Sequence, residues 1–192
     1  MKVTADIDAN DDPTVIGGFT TDFSVSLRDG LNGPVSAATV TITNSSLGTI
    51  TLPETAAGSG DYFLTGNTFP GGDFTLNVTR GADNVHNVVL GGPGVHSITA
   101  PAKNATVPAN QSLTVRWTVP SQAKAAEVET RDFGPATLPD TGAYVIAGAD
   151  NPPNASQRIR VFRFNEVDVA GGLPGSRLRV TVRNAVEPVI VQ

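Results

Sequence analysis

Apolar side chains recur at every second position through most of this chain. Phe23, Val25 and Leu27 alternate with Ser24, Ser26 and Arg28, and Val40 and Ile42 alternate with Thr39, Thr41 and Thr43. Phe74, Leu76 and Val78 do the same with Thr75, Asn77 and Thr79. A period of two places one set of side chains on each face of an extended segment, so these runs predict half-buried β-strands. Asp29-Gly30, Asn32-Gly33-Pro34, Gly58-Ser59-Gly60-Asp61 and Gly71-Gly72-Asp73 punctuate them with residues suited to turns. Tyr62-Phe63-Leu64 and residues 85–90 complete the first series. Strands of about five residues recurring about every ten, with no helical period, predict an antiparallel sandwich.

Gly91-Gly92-Pro93-Gly94 cannot continue a strand and marks the expected boundary between two domains. Beyond it Leu113, Val115 and Trp117 alternate with Thr114, Arg116 and Thr118, and Ala126 and Val128 with Glu127 and Glu129. Further strands are expected at 144–146, 159–164, 178–182 and 186–191, whereas 130–156 is otherwise rich in loops and its pairing is open. Within 158–164, Ile159 and Val161 have the opposite parity to Phe162 and Phe164, which implies a bulge or burial on both faces. The fold class expected is therefore all-β: two tandem antiparallel β-sandwiches, residues 1–90 and 95–192, joined by a Gly/Pro linker at 91–94.

Composition narrows the chemistry. Zero Cys removes disulfides, thiolate nucleophiles and cysteine metal sites, and His86 and His96 are the only imidazoles. A net charge of −5 argues against nucleic acid as a partner, and no apolar run is long enough for a membrane-spanning helix. No apolar leader follows Met1, so the protein is expected either to be cytosolic or to have had a secretion signal removed. The 10 Arg against 3 Lys, with abundant Thr, Gly, Asn and Ala, suit an exported β-protein that is secreted, periplasmic or on the cell surface.

The strand at 23–28, the turn at 29–35, Ala38-Thr39-Val40-Thr41-Ile42, Gly60-Asp61-Tyr62-Phe63-Leu64 and the run at 72–78 resemble the carboxypeptidase regulatory-like (transthyretin-like) family over roughly residues 19–90. A longer segment, Gly66-Asn67-Thr68-Phe69-Pro70, departs from that pattern. Ile98-Thr99-Ala100-Pro101 and the run Gln111 through Pro120 resemble bacterial immunoglobulin-like or fibronectin type III-like modules over roughly 95–192. The resemblances imply immunoglobulin-like or prealbumin-like sandwiches that are non-catalytic, of the kind found beside enzymes or in surface proteins.

Candidate chemistry is sparse. Asp6, Asp8, Asn10, Asp11 and Asp12 place oxygen ligands at alternate positions, the arrangement by which a loop gathers calcium. The sixth position of such a loop is Asp11 rather than Gly and the twelfth is Gly17 rather than Glu, so a solvated, flexible acidic segment is the competing expectation and no cofactor is otherwise implied. The two histidines lack acidic companions at ligand spacing. Ser59 has no nucleophile-elbow pattern around it. Phe23, Phe74 and Trp117 point inward, leaving Phe69, Phe133 and Tyr144 beside loops, where anchoring is the expected use.

Residues 1–94 carry three Lys/Arg against ten Asp/Glu, a net of −7, whereas 95–192 carry ten against eight, a net of +2. Arg177, Arg179 and Arg183 share one outward strand face, with Arg158 and Arg160 on another. A solvated face that deters edge pairing explains them, and so does contact with a partner protein, including other copies joined head to tail. The functional expectation is a non-enzymatic extracellular or cell-envelope module for structure, assembly or adhesion, contacting protein or glycan. The alternative is a carbohydrate-binding accessory module of a larger secreted protein or enzyme.

Overall fold

The computed structural model describes residues 1–12 and 18–192. It is built from strands, with one short 3₁₀ turn at Gly148–Asp150. The first unit comprises Met1–Gly92 together with Asn165–Thr181, and the second comprises Pro93–Phe164 with Val182–Gln192.

Strands β1 (Lys2–Asp11), β2 (Phe19–Arg28), β3 (Thr39–Asn44), β4 (Gly48–Leu52), β5 (Asp61–Gly66), β6 (Asp73–Thr79) and β7 (Val85–Gly91) belong to the first unit. The second holds β8 (Ile98–Ala100), β9 (Thr106–Val107), β10 (Leu113–Trp117), β11 (Ala125–Thr130), β12 (Ala136–Leu138) and β13 (Ala143–Ile146). Two strands of 15 residues, β14 (Asn154–Asp168) and β15 (Arg177–Val191), contribute a part to each.

In the first unit one sheet has the order β14-β15-β1-β2-β5 and the other β4-β3-β6-β7. Their facing sides enclose Val3, Ile7, Phe23, Val25, Leu27, Val40, Ile42, Phe74, Leu76, Val78, Leu178 and Val180, each no more than 1% exposed. Burial of these side chains is the main favourable term holding the layers together. The alternation read from the sequence is therefore the inside–outside alternation of a sandwich. Gly60 locks one end. Its φ is +67°, and a Cβ there would lie 2.8 Å from the Leu27 carbonyl and the Val35 nitrogen, so only glycine lets the chain approach.

The second unit packs β12-β11-β14-β15, with β9 parallel to β15, against β13-β10-β8. Its core holds Leu113, Val115, Trp117, Ala126, Val128, Ile146, Ile159, Val161 and Val189. The segment at 130–156 resolves into β12 paired with β11 and β13 paired with β10.

Two sequence expectations are corrected, and one alternative left open is decided. Residues 95–192 do not form one separate domain, because Val169, Leu178 and Val180 pack in the first core and carry Asn165–Thr181 with them. The acidic N-terminus is an ordered strand, not a flexible segment: Val3, Ala5, Ile7 and Ala9 are buried on its inner face and it pairs with β2 from Lys2↔Arg28 to Asp11↔Phe19. The parity break in β14 is burial on both faces, with no bulge in its pairing with β11. β11 keeps an unbroken register with it, Ala126 facing Arg163, and Arg163 takes an inward position while Phe164 is also buried.

Candidate functional site

Two polar constellations emerge, one sealed and one open. The sealed one lies in the second unit. Arg163 on β14 and Asp140 in the loop after β12 form an ion pair with both side chains 0% exposed. Arg163 Nε donates to the carboxylate at 3.0 Å, as does its terminal nitrogen at 2.6 Å. The Trp117 indole N–H and the Ala123 N–H complete the shell at 3.0 and 3.1 Å. The guanidinium also donates to the carbonyls of Gly94 (2.9 Å) and Ser121. Burial raises the Asp140 carboxyl pKa, but these donors outweigh it and hold the group below its usual value.

His96 lies in the same core. Its Nε2–H donates to the Val161 carbonyl at 3.0 Å, which leaves Nδ1 unprotonated and without a hydrogen-bond partner. Burial, reinforced by the Arg163 charge, lowers its pKa to about 4. An acid, a base and a cation thus meet where no solute reaches them. They tie the 94, 121 and 140 loops to β10 and β14, which is structural work.

The open constellation is the outer face of β15-β1-β2-β5 in the first unit. Cross-strand register aligns Asp6, Ser24 and Phe63 in one row and Thr4, Ser26 and Asp61 in the next. Adjacent strands lie about 4.8 Å apart, so β1 and β5 flank β2 across about 10 Å. Small side chains on β2 form the floor between larger ones on either side. The result is a shallow trough of about 310 Å³ lined by Thr4, Asp6, Ser24, Ser26, Asp61 and Phe63. Asp61 accepts from Arg28 at 2.8 Å, and Asp6 pairs with Arg177 at 2.8 Å. Phe63 is 42% exposed, although the core face of the same strand holds buried Tyr62.

The sequence candidates fall as follows. Asp6, Asp8 and Asn10 share the outer face of β1, but an extended strand keeps successive same-face side chains about 7 Å apart and does not curl them around an ion. Asp6 is paired with Arg177. Asp8 accepts from Thr181, and burial is the chief reason its pKa is raised. Asp11 and Asp12 close the strand, Asp12 donating its N–H to the Gly18 carbonyl at 2.8 Å, while Gly17 lies outside the described residues. Among the described residues no three His, Asp or Glu are placed to hold a metal.

Arg177 and Arg179 belong to the first unit and Arg158, Arg160 and Arg183 to the second, all half-buried. Arg160 pairs with Glu129 at 2.8 Å. His86 is exposed on β7, and Ser59 serves a turn by accepting the Asp61 N–H at 3.1 Å. Phe69 stacks on Phe74, and Phe133 on Tyr144, with centroids 6.0 Å apart in both pairs. The exposed ring is instead Phe63, whose face the run Tyr62-Phe63-Leu64 did not reveal.

No protein-family model matches the chain. No curated protein matches it either. Among solved structures it is similar to the fibronectin(III)-like modules of Clostridium thermocellum CbhA, at 15% identity over 99% of this chain and 94% of that one, with a TM-score of 0.35. The Yersinia pseudotuberculosis adhesin InvE aligns at 18% identity over 94% of this chain, with a TM-score of 0.30. The BSP domain of a biofilm associated protein aligns at 16% over the full chain, with a TM-score of 0.28. The chain spans 58% and 29% of the latter two.

Proposed function

We propose that the chain is a non-catalytic module of an extracellular or cell-envelope protein, whose sheet faces contact a protein or glycan in structural or adhesive work. The observation that carries this reading is the fate of its buried ionisable groups. Arg163, Asp140 and His96 would be the natural parts of a reactive site, yet Arg163 and Asp140 are spent on each other and His96 is sealed in the core with them. The chemistry left to solvent lies on sheet faces rich in Thr, Ser and Asp, which suits recognition more than bond-making. The test exposes the purified chain to panels of extracellular glycans and matrix proteins, with hydrolase substrates in parallel. Binding without turnover is expected, and turnover abolished by a single substitution would refute the reading.

A finer version, head-to-tail assembly, draws on charge. Residues of the first unit carry a net of −7 and those of the second a net of +2, so unlike units of neighbouring copies attract. Arg160 and Arg177 have acidic partners within the chain, so contact through them would have to exchange those partners. A mass by light scattering that stays monomeric at low salt and high protein concentration sinks this version.

A further inference from the structure

We infer that the trough on the first unit is a binding site for a neutral oligosaccharide, with Phe63 as its stacking platform; this rests on the module reading above and names the ligand class and the place. Sugar recognition combines an apolar ring face, which covers the C–H side of a pyranose, with fixed hydroxyl and carboxylate acceptors for its O–H groups. The trough holds that combination across three neighbouring strands. Phe63 stands on β5 with 42% of its surface exposed. Its cross-strand partner is Ser24, and Ser24 in turn faces Asp6. One residue row further along, Asp61, Ser26 and Thr4 repeat the order of acid and hydroxyls.

Two features make the polar members suitable acceptors. Asp61 is fixed by Arg28 through both carboxylate oxygens, at 2.8 and 3.0 Å, yet remains 44% exposed. Asp6 is held from the far side by Arg177 and keeps an edge toward the trough. Each carboxylate is thus oriented in advance with lone pairs to spare, which lowers the ordering cost of binding. The small Ser24 and Ser26 leave the room, and the rigid sheet keeps the walls apart. The volume of about 310 Å³ is at the lower end for ligand sites and matches a short stretch of a chain that continues beyond it on both sides.

Charge selects among glycans. The wall carboxylates are each balanced by an arginine, so the net −7 of the first unit is what disfavours uronic acids, sulfated sugars and sialylated chains. A basic peptide is the competing occupant, since a cation can also sit over the Phe63 ring, but the carboxylates it would need are already engaged by Arg28 and Arg177.

The experiment titrates the full chain with neutral gluco-, manno-, galacto- and xylo-oligosaccharides, with their uronic acid counterparts and with an oligolysine peptide. Calorimetry or ligand-observed NMR reads binding. At least one neutral series should bind and the acidic ones should not. Phe63→Ala should weaken that binding by about tenfold or more, Phe63→Tyr should retain it, and Ser26→Trp should block it by filling the floor. Both side chains lie outside the core, and an unchanged circular dichroism spectrum and an unchanged calorimetric melting of the first unit verify the fold. Neutral sugar binding untouched by Phe63→Ala and Ser26→Trp overturns the site. Failure of every neutral series, or oligolysine binding that depends on Phe63, overturns the ligand class, and in each case capture of a protein partner elsewhere leaves the module reading standing.

Discussion

Replacing Arg163 with methionine keeps much of the side-chain volume and deletes the guanidinium. Asp140 then retains the Trp117 indole N–H and the Ala123 N–H but loses its only cation, inside a core where it is 0% exposed. Removing one partner of a sealed ion pair costs about 3–5 kcal/mol, because the remaining charge is uncompensated. The Gly94 and Ser121 carbonyls lose a donor as well, which adds to the cost without being additive with it. A destabilisation of about 4 kcal/mol is expected for the second unit. The chain has a single Trp, Trp117, and it touches this cluster, so its emission during urea unfolding reports the second unit directly. With a slope of about 2 kcal/mol per M, the midpoint should fall by about 2 M. Arg160→Met is the control: its pair with Glu129 is partly solvated, side chains 25% and 21% exposed, and about 0.5–1 kcal/mol is expected there. Pairing Arg163→Met with Asp140→Asn should recover part of the loss by removing the stranded charge. A loss below about 1 kcal/mol for Arg163→Met, or one equal to that of Arg160→Met, refutes the argument that this ion pair clasps the second core.

Two further outcomes follow from buried groups. His96 has a folded pKa of about 4, below the ordinary imidazole value, so the unfolded chain takes up a proton that the folded chain refuses. Stability of the second unit should fall by about 2–3 kcal/mol between pH 7 and pH 4.5, and a His96→Gln chain, in which Asp140 is still held below its usual value, should show a much flatter profile. Equal slopes for the two chains would refute it. Asp8 has the opposite character: burial raises its pKa, so its ionised form costs the fold stability at neutral pH, and that cost disappears as pH falls through the folded pKa. Asp8→Asn, which can still accept from Thr181, should raise the first unit's calorimetric melting temperature at pH 7 and lose that advantage in acid, whereas a lowered melting temperature at pH 7 would contradict the sign.

How much of this was legible in the sequence depends on where the controlling neighbour lies. The strands at β2, β3, β6, β10 and β11 carry their own alternation, and the all-β class follows from them. β1 carries it too, in Val3, Ala5, Ile7 and Ala9, but two of the four are small and the intervening acids invite a loop reading. The return of Asn165–Thr181 to the first core leaves no trace, because both cores draw on the same Val, Ile and Leu side chains. Arg163 left one trace, the clash of parity around Phe162, while its partner Asp140 lies in a remote loop and Trp117 on another sheet. Phe63 is the sharpest case. Within Tyr62-Phe63-Leu64 three successive apolar residues fit either face, and nothing local decides between them. The decision comes from β2, where Val25 opposite Tyr62 is buried and Ser24 opposite Phe63 is not. A one-residue slip would exchange the two faces, hiding Phe63 and exposing Tyr62. The open ring is therefore a property of strand register, and register is written jointly by two strands far apart along the chain. The same pairing that closes the first core also sets Phe63 beside Ser24 and Asp6, so the trough could not be lost by a slip in this register without exposing Tyr62 and Leu64 from the hydrophobic core as well.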